Sequence, residues 1–134
     1  VLTNPHCEPC AHTHIKIGEL LHKTGDKFCV QYIFSSFKES LCISNKMLIS
    51  AYMRENEIDC KVIYDVWFKG GKNHKEIFFK EYDLQINNIV EEEFNNHQNW
   101  IRQCKLRTTP TVLINGYIFP EQYKIEDLIL LSLW

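Results

Sequence analysis

The chain has 134 residues, 15 Lys+Arg against 17 Asp+Glu, 45% hydrophobic residues and six cysteines. That length suits a single domain, residues 1–134, built on one core, and a net charge of −2 excludes the broad basic surface that nucleic acid demands. No apolar run approaches the roughly 18 residues needed to cross a bilayer, and the cysteines fall well below the roughly 8–10% that marks a disulfide-stapled miniprotein.

The first residue is Val1 rather than Met, and no charged leader or signal-type apolar segment precedes the domain. This points to a processed product or a domain excised from a longer parent. Val1-Leu2-Thr3 offers only a short opening strand before the turn-forming Asn4-Pro5. Residues 7 to about 24 read as a helix, with Ala11, Ile15, Gly18 and Leu21 at helical steps and Gly25 supplying a positive φ past its end. Residues 28–34 (Phe-Cys-Val-Gln-Tyr-Ile-Phe) are apolar on nearly both faces and rich in β-branched and aromatic residues, the pattern of a central strand covered on both sides.

The middle of the chain is helical. Leu41, Ser44, Leu48, Ala51, Tyr52 and Glu55 form one stripe, and a shorter segment from Ile58 to about Phe68 closes at Gly70-Gly71. Residues 86–104 are the most regular, with Ile86, Ile89, Val90, Phe94, His97, Trp100, Ile101 and Cys104 on one face and Glu91-Glu92-Glu93 as a solvated run. After Thr109-Pro110 the period changes to two: Thr111-Val112-Leu113-Ile114, Asn115-Gly116, Tyr117-Ile118-Phe119 is a β-hairpin with a type I′ turn. A last helix runs from about Ile125 to Leu133.

Cys7-Glu8-Pro9-Cys10 sits where the short strand meets the first helix, and that position carries its chemistry. The first helical N–H groups lack partners, and the macrodipole places about +0.5 charge there. A Cys7 thiolate gains stability in such a setting. Cys10, nearly one turn on, lies within disulfide reach, and Pro9 suits the first turn because its missing N–H would have been unpaired anyway. Glu8 works against the thiolate, whereas His6, when protonated, helps it. The pair should therefore be less oxidising than one flanked by a second histidine, with a potential more reducing than about −120 mV, the strongly oxidising end of the range.

A C-x-x-C at a strand-to-helix junction with a distant Thr109-Pro110-Thr111-Val112 opening a hairpin resembles the thioredoxin superfamily. Three stretches resemble a narrower group: Asn4-Pro5-His6-Cys7-Glu8-Pro9-Cys10-Ala11, Thr109-Pro110-Thr111-Val112-Leu113-Ile114-Asn115-Gly116-Tyr117, and Pro120-Glu121-Gln122-Tyr123. They are similar to thioredoxin-like domains attached to bacterial vitamin K epoxide reductase-like membrane proteins, notably in Bacteroidetes. The stretch from about 37 to 104 resembles the helical insertion of DsbA-type proteins.

The resemblance implies an α/β, thioredoxin-like fold (β-α-β, helical insertion, β-β-α) with a central mixed sheet flanked by helices. It implies a disulfide oxidoreductase in which Cys7 attacks and Cys10 resolves, with no cofactor beyond that redox-active disulfide. Pro110 would be cis and packed on the pair, and Thr109 would offer backbone hydrogen bonds to an extended substrate. His6, Glu8 and Pro9 would tune the site. Partners would be proteins or small molecules bearing thiols or disulfides, with a vitamin K epoxide reductase-like module as membrane redox partner. The setting would be the periplasm or outer cell surface. Two departures stand out: the short first strand leaves no counterpart to thioredoxin's buried carboxylate, and His6 replaces the Trp that precedes its first cysteine.

Two other readings compete. Cys7, Cys10 and His14, with His12 completing C-x2-C-x-H-x-H, would hold zinc or copper, although structural zinc sites draw their ligand pairs from separate segments. A redox-inert interaction domain would leave both cysteines unused. Cys29 and Cys104 read as small packed hydrophobes, and Cys42 or Cys60 as candidates for a second bridge. His97 reads as a satisfied helix-face residue, Lys69, Lys72 and Lys75 as a solvated turn, and Trp67 and Trp100 as core.

Overall fold

In the computed structural model, residues 1–36 and 38–133 are described; Phe37, the expected first residue of the helical insertion, lies outside them. The chain runs β1 (Leu2–Thr3), α1 (Glu8–Thr24), β2 (Ile33–Phe34), α2 (Cys42–Arg54), α3 (Glu57–Lys69), α4 (Lys75–Glu81), α5 (Asn88–Gln103), the hairpin β3 (Leu113–Ile114) and β4 (Tyr117–Ile118), and a closing 3₁₀ helix, Ile125–Leu133.

Local chemistry sets most boundaries. α1 begins at Cys7, whose sulfur accepts the Cys10 N–H, and ends at Gly25 with φ 62°, whose N–H reaches Leu21 O. Asn56 and Asn87 cap α3 and α5 by accepting the N–H groups of Asp59 and Val90, each at 2.9 Å, a cap exchange typical of Asn. Asn115 and Gly116 both have positive φ (50° and 87°), as the type I′ hairpin requires. A side chain at Gly71 would place its Cβ 2.7 Å from the Phe78 ring, so the α3–α4 corner closes only over glycine.

A continuous central mixed sheet is not evident. β1 pairs in parallel with β2, Leu2 opposite Ile33, and β3 pairs antiparallel with β4, Leu113 opposite Ile118. One antiparallel bridge, Leu2 to Thr111, joins the two ladders. The expected strand 28–34 shrinks to Ile33–Phe34 because the register sets the Ile33 N–H against Val1 O at 2.8 Å, which leaves residues 28–30 beyond the ladder. Cys29 is therefore exposed rather than packed. Cys104 is exposed as well, because α5 ends one residue before it. The last helix is 3₁₀ rather than α.

The main hydrophobic cluster gathers Phe34 from β2 with Leu48, Ile49, Ile63, Tyr64, Trp67, Phe68, Phe78 and Val90. It lies mostly among the helices between β2 and β3, and Ala11 joins it from α1. Trp67 is fully buried and stacks on Phe79 at 5.5 Å; Trp100 is only half-buried. Glu91 is tied to Lys46 and Glu93 to the Tyr52 hydroxyl, so the acidic run links α5 to α2 rather than standing free in solvent.

His97 fastens α5 to the sheet. Its Nδ1 accepts the Phe34 N–H at 3.1 Å while the ring is 3% exposed, which fixes the proton on Nε2. Burial lowers its pKa below the ordinary 6.5, partly opposed by Glu93; burial also lowers His6 and His14. The unfolded chain thus binds more protons than the folded one just below pH 6.5, so stability is lost as pH falls from there through the folded pKa values. Urea unfolding should show a clear stability loss between about pH 7.5 and about pH 5. His97→Asn, which keeps an acceptor for Phe34 but cannot titrate, should show a smaller loss; an equal loss would rule His97 out as a contributor.

Candidate active site

The turn Asn4-Pro5-His6-Cys7 carries the chain from β1 into α1. Asn4 O accepts the Cys7 N–H at 3.2 Å, and the Asn4 Oδ1 accepts the His6 N–H at 3.0 Å, the short-range pattern that makes Asn a turn former. Cys7 is half-buried at the start of α1, and Cys10 is 1% exposed beneath it. Both are thiols, as are the other four cysteines. The Cys10 N–H points at Cys7 Sγ (3.4 Å), and the Asn4 N–H points at Cys10 Sγ (3.4 Å).

Opposite Cys7 lies the loop before the hairpin. The Thr109–Pro110 peptide bond is cis, and the Cys7 thiol donates to Thr109 O at 3.9 Å, a long sulfur hydrogen bond. The loop is held there by Thr111, which exchanges both backbone hydrogen bonds with Leu2 (2.8 and 3.0 Å), and whose hydroxyl donates to Thr108 O at 2.7 Å. Among the described residues, no backbone–backbone hydrogen bond uses the Thr109 N–H or C=O. Two residues 102 positions apart thus face each other across an open backbone edge.

The helices supply contacts that the sequence did not announce. Trp67 of α3 donates its indole N–H to Pro5 O at 2.9 Å, and its ring meets His6 edge-on at 5.5 Å. Ser44 of α2 bonds His6 Nε2 at 2.6 Å. Lys72, expected in a solvated turn, has a side chain only 9% exposed and pairs with Glu8 at 2.5 Å. Glu8 therefore meets the site with its charge balanced. Burial, then Lys75 and Lys72, lower the His6 pKa, so His6 is neutral near pH 7 and gives Cys7 no cationic help.

The two sulfurs sit in different surroundings. Burial and the hydrogen bond with Cys7 push the Cys10 thiol up to about 11, opposed by the Asn4 N–H and the Thr3 hydroxyl. Cys10 thus stays protonated until it is called on.

His14 lies one turn past Cys10 on the buried face of α1, and its ring is engaged by other groups. Its Nδ1 bonds the Tyr32 hydroxyl at 2.6 Å and its Nε2 bonds Asp65 at 2.7 Å, and the ring stacks on Phe68 at 4.7 Å. Both nitrogens are occupied, so the metal reading with Cys7, Cys10 and His14 lacks its third ligand. Among the described residues no group of three His, Cys, Asp or Glu side chains is placed to hold a metal ion.

No protein-family model matches the chain, and no curated protein matches it. Among solved structures it is similar to a crystal structure described as that of "a putative protein-disulfide isomerase from Pseudomonas syringae". The identity is 16%, the TM-score 0.72, and the alignment covers 98% of this chain and 90% of the other. The chain shares the fold of that structure, and at that identity the likeness extends to the fold alone.

Trp67→Phe removes the donor to a buried Pro5 carbonyl while keeping an aromatic core. An orphaned buried acceptor costs about 1–3 kcal/mol, so urea unfolding should report a loss of that size. A variant as stable as the wild type would show that the turn does not depend on this clamp.

Proposed function

We propose that the chain is a thiol–disulfide oxidoreductase, with Cys7 as attacking thiol and Cys10 as resolving thiol. The observation that carries the reading is the placement of half-buried Cys7 at the start of α1, facing Thr109 O, with Cys10 buried behind it. Thr109 and Pro110 form the substrate-facing edge, and the Thr109 N–H and C=O, which no described backbone group takes up, suit an extended peptide added as a strand. His6, Glu8 and Pro9 adjust the pair, with Lys72 balancing Glu8.

In the reducing direction, Cys7 thiolate attacks one sulfur of a substrate disulfide. The substrate S–S bond breaks, a mixed disulfide forms, and the departing thiolate takes a proton. Cys10 then gives up its proton and attacks Cys7 Sγ; the second substrate sulfur leaves as a thiolate and is protonated. The protein pair is oxidised and the substrate reduced, and the oxidising direction is the reverse. No other group is needed, so the redox-active pair serves in place of a cofactor.

The finer setting belongs to the same proposal. A single domain, in which a helical segment is inserted between β-α-β and β-β-α halves, accounts for the element order. Its resemblance to domains attached to vitamin K epoxide reductase-like proteins supports an extracytoplasmic location, where disulfides persist. It also supports reoxidation by such a membrane module, which would favour an oxidase role. No described helix is long and apolar enough to cross a membrane.

Cys10→Ser should accumulate mixed disulfides through Cys7 when offered unfolded, disulfide-bearing proteins, while Cys7→Ser should accumulate none. Retention of wild-type insulin-disulfide reduction by both variants would overturn the proposal.

A further inference from the structure

A buried polar chain runs from α2 to the resolving cysteine. Asn45, 0% exposed, donates its Nδ2–H to Ser36 Oγ at 3.0 Å. The Ser36 hydroxyl donates to Asn4 Oδ1 at 3.1 Å, beside the His6 N–H on the same oxygen. Asn4 in turn gives its backbone N–H to Cys10 Sγ and its carbonyl to the Cys7 N–H. Asn4 thus touches both cysteines, and Ser36 and His6 fix its side chain. The far end of the chain is unusual: Asn45 Oδ1 is buried with no partner among the described residues.

An unpaired buried carbonyl costs about 1–3 kcal/mol, and an apolar residue of similar size would avoid that cost. The amide is therefore useful for its donor, which engages Ser36 and leaves the serine hydroxyl free to point only at Asn4. The two side-chain donations, Asn45 to Ser36 and Ser36 to Asn4, both run from α2 toward Asn4. Buried networks of this kind hold one geometry because any alternative strands a polar group.

We propose that Asn45 and Ser36 are positioning residues for disulfide resolution, holding the Asn4 N–H on Cys10 Sγ so that the sulfur is stabilised as it becomes the attacking thiolate. This rests on the oxidoreductase reading and adds residues to it: Asn45 and Ser36 act through Asn4 on the second chemical step. The Asn4 N–H already opposes the burial that raises Cys10, and a hydrogen bond to a charged acceptor strengthens as the charge develops.

The test uses glutathione disulfide as probe on the full reduced chain, with acid quenching and peptide mass spectrometry at Cys7. Cys7 thiolate attacks the probe, one glutathione leaves and is protonated, and a Cys7–glutathione adduct forms. Cys10 loses its proton and attacks Cys7 Sγ; the second glutathione leaves and is protonated, and the Cys7–Cys10 disulfide forms. Ser36→Ala should form the adduct at the wild-type rate but resolve it about threefold to tenfold more slowly, the scale of weakening one charge-assisted hydrogen bond. Ser36→Thr, which keeps the hydroxyl, should restore resolution, and Asn45→Ser should slow the same step from the other end of the chain. Adducts that resolve at the wild-type rate in both Ser36→Ala and Asn45→Ser would overturn the inference while leaving the oxidoreductase reading intact. A wild-type chain that forms no adduct at Cys7, or never closes the Cys7–Cys10 disulfide, would overturn both.

Discussion

Leu2 is paired on both sides, and the geometry of the site follows from that. One edge of this fully buried residue meets β2 in parallel, and the other exchanges two hydrogen bonds with Thr111. Strand geometry fixes neighbouring chains about 4.8 Å apart, so whatever lies just beyond Leu2 must lie close to whatever lies just before Thr111. Those neighbours are the turn leading to Cys7 and the cis Thr109–Pro110 bond. A ladder of a few residues thus brings together groups from opposite ends of the sequence. It also leaves Thr109 with backbone groups that no strand of the described chain takes up.

The helices between β2 and β3 complete what the ladder begins. They hold most of the buried apolar surface, so their packing is the main source of stability, and they grip the cysteine loop at several points. Trp67 holds Pro5, Ser44 holds His6, Lys72 holds Glu8, and Asn45 reaches Asn4 through Ser36. Trp67, Ser44 and Asn45 belong to helices whose positions are set by burial, and Lys72 to the corner between α3 and α4. The reactive pair is therefore supported by rigid elements, although it sits at a turn. Its electrostatics follow from the same contacts: a neutral His6, a balanced Glu8, and a Cys10 thiol raised by burial.

What was legible in the sequence was what local chemistry determines. Cys7 at the start of a helix, Gly25 at its end, Asn115-Gly116 in a tight hairpin and the helical stripes of residues 41–55, 58–68 and 86–104 all follow from short-range rules; α4, seven residues long, carries no such stripe and reads in part as a turn. The reading of residues 28–34 as a covered strand missed because an apolar run does not reveal how many residues its partner offers. Ile15, assigned to the buried stripe of α1, is 46% exposed, and buried His14 takes that face instead. The contacts that shape the site were harder to see. Asn4, Ser36 and Asn45 are scattered polar residues with no shared period, and Lys72 looked like any lysine beside a double glycine. Only the fold places it against Glu8.

A glutathione redox titration with peptide-level identification of the bridge tests whether Cys7 and Cys10 form a reversible redox couple. One two-electron transition between the dithiol and the Cys7–Cys10 disulfide is expected, at a potential more reducing than about −120 mV. Failure of that disulfide to form at any glutathione ratio would contradict that expectation.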